Sequence, residues 1–180
     1  MVYRFLLLSN EIDNFKREIQ ISSQATFFDF HKEILKATGY DSNQIYSFFI
    51  CDDDWNKQKE ITLIEMDTSS EEDCFLMDET LLEDMLEEER QKLFYVFDML
   101  TERVLFMELR EIITGKDIKD PICSKSVGNA PEQFLDFDLV TNDTISDLDE
   151  DSDNNDGYND EDLDGFDEIS FDESSLSERY

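Results

Sequence analysis

The stretch "FKREIQISSQATFFDFHKEILKATG", residues 15–39, changes its periodicity halfway. In its first part Phe15, Ile19 and Ile21 fall on one side and Lys16, Glu18 and Gln20 on the other, a period of two interrupted only at Arg17. That alternation predicts a strand with one buried face. From Thr26 onward the period lengthens. Phe27, Phe30, His31, Ile34 and Leu35 recur at i, i+3, i+4, i+7 and i+8, one face of a helix. Thr26 stands where an N-cap belongs, with Asp29 three residues on as its capping-box partner, and Gly39 stands where a left-handed residue ends the helix.

Working outward, the apolar run Val2–Leu8 and the turn residues of "NEIDN" (10–14) make the strand half of a hairpin that feeds the helix. "IYSFFIC" (45–51) and "EITLIEM" (60–66) predict two further strands joined by the polar turn "DDDWNKQK", and "DTSSEED" (67–73) predicts a loop. "DETLLEDMLEEERQ" (78–91) is helix-prone, with Leu81, Leu82, Met85 and Leu86 as its stripe. "KLFYVFDML" (92–100) and "RVLFMELREII" (103–113) flank Thr101 and Glu102 as a second hairpin. Helix is the rival reading for the latter, but the run of aromatic and β-branched residues favours strand. The pattern predicts an α+β domain with a mixed or antiparallel sheet and two to three helices.

Beyond about Asp136 the apolar periodicity stops. The chain of 180 residues has a formal charge of −32, and Asp136–Tyr180 holds 18 acids against one base, Arg179. Low hydrophobicity with dense like charge cannot offset chain entropy, so residues 136–180 are expected to be a disordered acidic tail behind a folded body of 1–135. That body, at −15, is large enough to bury roughly two-thirds of the surface its unfolded chain exposes. Such a field opposes contact with nucleic-acid phosphates and anionic membranes, and favours a protein partner with a basic surface. The apolar run at the N-terminus is too short for a signal peptide, and no stretch reaches the ~20 residues of a membrane span. Cys51, Cys74 and Cys123 show neither a CxxC spacing nor an even count, so the expected location is cytoplasmic.

Three segments in order carry a family resemblance. "TFFDFHKEILKATGYDSNQIYSF" (26–48) presents Thr26, Phe30, His31, Gly39, Tyr40, Asp41 and Phe48; "FYVFD" (94–98) follows; and "DPICSKSVGNAPEQ" (120–133) presents Pro121, Cys123, Gly128, Ala130, Pro131 and Glu132. Together they resemble the plasmid pRiA ORF-three-like family, which also carries a transposon passenger TnpR label, over the whole body. The resemblance implies a compact α+β domain without an established biochemical role. Where the family has a Trp and a His after the Asp-bearing strand, this chain has Arg103 and Leu105. The recombinase hinted at by the label needs arginines around a scissile phosphate and a basic face, which a body at −15 does not supply.

The residues that could carry chemistry are few. His31 is the sole histidine, and its place on an apolar helix face predicts packing and hydrogen bonding rather than a general base. An enzyme reading draws on His31 with Asp98 and Cys123, which requires them to converge. "CDDDW" (51–55) offers adjacent carboxylates that could hold magnesium but reads as a solvated turn, and Gly128–Pro131 reads as a shaped turn rather than a phosphate cradle. In the tail, "DEDLDGFDEISF" (160–171) places Asp160, Asp162, Asp164 and Gly165 as the first half of a calcium loop, yet Phe171 stands where the closing glutamate belongs. A second register, Asp149, Asp151, Asp153 and Asp160, has Asn154 at the glycine position. Leu148, Leu163, Phe166, Ile169, Phe171 and Leu176 punctuate the acid, the pattern of an interaction segment. The leading reading is a non-enzymatic interaction module with no catalytic, cofactor or metal residues. An enzyme centred on His31, Asp98 and Cys123 and weak calcium binding by the tail are the alternatives.

Overall fold

The structure, a computed structural model, describes residues 1–64 and 74–134. The acidic tail 136–180, both calcium-loop registers and the 67–73 loop lie outside the described residues. Ten elements follow one another: β1 (Val2–Leu8), β2 (Lys16–Ser22), α1 (Phe27–Thr38), β3 (Ser47–Cys51), β4 (Lys57–Thr62), β5 (Cys74–Leu76), α2 (Leu82–Met85), β6 (Lys92–Asp98), β7 (Arg103–Ile113) and β8 (Ile122–Val127). The strands form one sheet in the order β5-β4-β3-β6-β7-β1-β2-β8. All pairs are antiparallel except β4 with β5, so the fold is α+β with a mixed sheet.

The switch of period in residues 15–39 sets this architecture. Ile19 and Ile21 are fully buried, and Thr26 and Asp29 close a capping box: the Asp29 N–H donates to Thr26 Oγ1 at 3.1 Å and the Thr26 N–H to Asp29 Oδ2 at 3.3 Å. Gly39 ends α1 at φ 81°, where a side chain would be strained. The buried stripe Phe27, Phe30, His31 and Ile34 lies across the middle of the sheet. The Phe30 ring sits 4.4 Å from Phe5 of β1 and 5.6 Å from Phe48 of β3, and Phe27 sits 5.2 Å from Phe48. Tyr3, Phe5 and Leu7 of β1, Leu93, Tyr95 and Phe97 of β6, and Leu105, Met107 and Leu109 of β7 complete that core. Both helices pack on this face. The other face carries no helix among the described residues.

Four details depart from the sequence expectations. The 78–91 helix shrinks to the single turn α2. Its first N–H groups are held by the Ala25 and Ser23 carbonyls, its exit is fixed by Tyr3 Oη donating to the Leu86 carbonyl, and the Gln91 side chain takes the Glu87 and Glu88 N–H groups. The strand expected at 60–66 begins at Lys57 and ends at Thr62, because the Asp52 turn sets the β3–β4 register; Ile64 is exposed. Two strands were not anticipated. β5 is only three residues long, and β8 has one half-buried residue among five exposed ones, so neither gives an alternation. Residues 103–113 form a strand, as their composition favoured.

Candidate functional site

The most chemically concentrated region lies under α1, where β3 and β6 meet. His31 is 2% exposed, with Nδ1 2.8 Å from Tyr95 Oη, and the Tyr46 ring lies 4.8 Å from the imidazole and 5.4 Å from Tyr95. Burial, reinforced by the nearby Lys32 charge, lowers the His31 pKa to about 4, so the ring is neutral at pH 7. Burial likewise holds the Tyr95 phenol well above its ordinary range and pushes Tyr46 up to about 12. Tyr46 Oη donates to the Asp41 carbonyl and accepts from Gln133 Nε2 at 2.8 Å. Tyr40 packs 5.0 Å from Phe97, and its buried hydroxyl has no hydrogen-bond partner among the described residues. These are neutral groups in an apolar setting. A general base needs a pKa near the working pH, and that of His31 lies well below it.

The structure does not bring His31, Asp98 and Cys123 together. Asp98 ends β6 and closes the β6–β7 turn: its carboxylate accepts from Thr101 Oγ1 at 2.6 Å and from the Leu100 N–H at 3.0 Å. The Thr101 hydroxyl is the main cause that lowers its pKa. Cys123 is on β8, four strand steps from β6, roughly 19 Å across the sheet. It meets α1 through its N–H, which donates to Glu33 Oε1 at 3.0 Å. Residues 31 and 33 point about 200° apart around a helix, so Cys123 lies on the flank opposite the imidazole. Burial raises the pKa of both Cys123 and Cys51, the latter to about 11, so neither is poised as a thiolate. In the "CDDDW" turn Asp52 accepts from the Asp54 and Asn56 N–H groups and from Gln58 Nε2, which occupies its carboxylate with its own loop.

Two arginines matter more than the sequence indicated. Arg17, the break in the β2 alternation, is 5% exposed and lies 4.6 Å over the Phe15 ring. Its guanidinium donates to the carbonyls of Ala37 (2.9 Å), Lys16 (2.9 Å), Val127 (2.6 Å) and Gly128 (3.0 Å). It joins β2 to the C-terminal turn of α1, where a cation is favoured, and to the end of β8. Gly128 (φ 66°) is required there, since a Cβ would lie 2.3 Å from the Asn14 carbonyl oxygen, in keeping with the shaped turn read at 128–131. Arg103 grips both carboxylate oxygens of Glu11 (2.9 and 2.6 Å) and the carbonyls of Glu132 (2.6 Å) and Gln133 (3.2 Å). Arg103 is therefore a clasp, and Leu105 is a fully buried core residue, so neither of the two positions singled out by the family resemblance is a ligand here. Arg17 was signalled only as the break in the β2 alternation, and Arg103, the first residue of β7, carried no such signal.

A cleft of about 280 Å³ runs along the other flank of α1, lined by Asp29, Lys32, Glu33 and Lys36 with Lys119 and Asp120. Two of its lysines are already matched, Lys32 with Asp29 at 2.7 Å and Lys36 with Glu33 at 3.2 Å, and the volume is at the lower limit of ordinary ligand sites.

The opposite face of the sheet has a different character. Trp55, from the β3–β4 turn, stacks on Phe94 of β6 at 5.2 Å and meets Phe106 of β7 edge-on at 5.0 Å, while Phe94 and Phe106 lie 5.1 Å apart. Lys92 Nζ stands 5.0 Å over Trp55, and Lys57 Nζ 4.5 Å over Phe49 of β3.

No curated protein matches the chain. A solved structure, that of the protein of unknown function MM3350 from Methanosarcina mazei Go1, is similar over 69% of this chain and 68% of its own, with a TM-score of 0.54 at 20% identity. At that identity the likeness speaks for the fold. No helix among the described residues is long and apolar enough to cross a membrane. The model of the plasmid pRiA4b ORF-3-like protein family matches residues 4–175, nearly the whole sequence, and this chain belongs to that family.

Proposed function

We propose that the chain is a non-enzymatic, cytoplasmic interaction module, with a folded body of residues 1–135 and an acidic tail, 136–180, that engages a basic surface on a protein partner. The observation that carries this reading is the charge partition, 18 acids against one base in the tail. Clustered carboxylates attract a cationic surface over about a Debye length, roughly 8 Å at physiological salt, and repel phosphate backbones. The body supports the reading indirectly: His31, Asp98 and Cys123 each have a packing or turn role and stand apart from one another. Direct nucleic-acid binding is not part of the proposal.

The test compares affinity captures from cells with the full chain and with a full chain in which the tail aspartates and glutamates are changed to Asn and Gln. The expected result is a set of basic proteins held only by the acidic form and released as salt rises. Recovery of the same proteins by both forms refutes the role given to the tail.

A further inference from the structure

We propose that the cleft between α1 and the segment leading into β8 is a binding site for a small zwitterion with an aliphatic body, an α-amino acid of the leucine class. The cleft exists because the sheet ends unevenly there. β8 joins β2 at Gln20 through Ile122, and the residue before it, Pro121, has no N–H with which to continue the ladder. Ile21 and Ser22 therefore run on beside α1 with no strand at their outer edge among the described residues. The opening that results, about 280 Å³, has Ile21, Ala25 and Pro121 as its apolar part. It is small for a drug-sized ligand and suits a molecule of a few carbons.

The charges around this opening select the ligand. Asp29, Lys32, Glu33 and Lys36 fall at i, i+3, i+4 and i+7, on one flank of α1. Lys119 and Asp120 join them from the bend that leads into β8. Three carboxylates and three ammonium groups thus line one small volume. A lone anion would meet three acids in a body already at −15, and a lone cation would meet three lysines. A molecule that carries both charges meets a partner for each, and its hydrocarbon covers the apolar part.

The six groups divide into a held set and a free set. Lys32 bonds Asp29 at 2.7 Å, and Asp29 also accepts the Thr26 N–H of the helix cap at 3.3 Å. Lys36 bonds Glu33 at 3.2 Å, and Glu33, 6% exposed, also accepts the Cys123 N–H at 3.0 Å. These four are fixed by the fold and form the walls. Lys119 and Asp120 are exposed and make no ion pair with any described residue. Lys119 takes the ligand's carboxylate and Asp120 its ammonium group. An α-amino acid bears both on one carbon, so two neighbouring residues serve. Because both are exposed and unpaired, either can be replaced with little cost to the fold.

The experiment follows the backbone amide resonances of the isotope-labelled full chain as L-leucine is added. Saturable shifts are expected at residues 119–123 and along the Asp29–Lys36 flank of α1, with a dissociation constant on the order of 1 mM, the affinity open to so small a ligand. Glycine lacks the hydrocarbon, isopentylamine the carboxylate and isocaproate the ammonium group, and each is expected to bind about tenfold more weakly. Lys119→Ala is expected to bring leucine down to the affinity of isopentylamine while leaving isopentylamine unchanged. Asp120→Ala is expected to do the same with respect to isocaproate. No saturable shift with leucine overturns the proposal, as do shifts confined to residues outside the cleft. Isopentylamine or isocaproate binding as tightly as leucine overturns the zwitterion assignment. Unchanged leucine affinity in both variants overturns the roles given to Lys119 and Asp120. Every arm leaves the tail carboxylates intact, so the role given to the tail succeeds or fails independently.

Discussion

His31→Phe tests the core under α1 through its dependence on pH. In the folded protein His31 titrates at about 4, against an ordinary value of 6.5, because protonation would place a cation among Tyr46, Tyr95 and Phe28. Lowering a folded-state pKa means that the unfolded chain binds the proton first as pH falls. Stability from this group is complete above pH 6.5 and drains away between 6.5 and about 4. The difference of about 2.5 pH units corresponds to about 3 kcal/mol. His31→Phe removes the titration but leaves the Tyr95 hydroxyl buried without its 2.8 Å partner, a cost of about 1–3 kcal/mol. Urea denaturation from pH 7.5 to 4.5 should therefore show the variant less stable at the alkaline end and the two curves converging or crossing at the acid end. A constant gap across the range refutes the reasoning. Because His31 is the only histidine, its ring proton resonances give a second reading. They should hold still through pH 6.5, and a midpoint there would mean that water reaches the ring.

Three other outcomes are expected. Arg17→Met keeps an aliphatic stem over Phe15 but removes the donors to four carbonyls, and should cost on the order of 2–4 kcal/mol in chemical denaturation. Gly128→Ala forces a Cβ to within 2.3 Å of the Asn14 oxygen at positive φ, and should cost on the order of 2–4 kcal/mol by the same measurement. Raising the Cys51 pKa from 9.0 to about 11 lowers its thiolate fraction about a hundredfold, so site-resolved iodoacetamide labelling at pH 7.5 should modify Cys51 far more slowly than an unfolded cysteine.

The parts of the fold legible in the sequence were those with local periodicity and capping chemistry. The β2-to-α1 passage could be read because Thr26, Asp29 and Gly39 mark the ends of a helix whose stripe is apolar at the right spacing. The single turn of α2 could not, because Tyr3, Ala25 and Gln91 hold its backbone groups from distant places in the chain or in irregular geometry. β8 gave no alternation because it is an edge strand, exposed at every position but Cys123. The packing role expected of His31 agrees with its burial, but its tyrosine partners come from β6 and from the residue that leads into β3, whose adjacency is a property of topology. The aromatic face was missed for the same reason. Phe49, Phe94 and Phe106 are scattered in sequence and become neighbours only when β6 and β7 pair beside β3.

That strand order also has a consequence for biosynthesis. The hairpin of residues 92–113 is the keystone of the sheet, seated between β3 and β1, both of which leave the ribosome much earlier. Until it emerges, two apolar strands present bare edges and α1 has nothing continuous to rest upon, the condition in which nascent chains aggregate or recruit chaperones. Assembly therefore waits for this hairpin and closes from the middle outward, with the long-range pairings that make such topologies slow to fold.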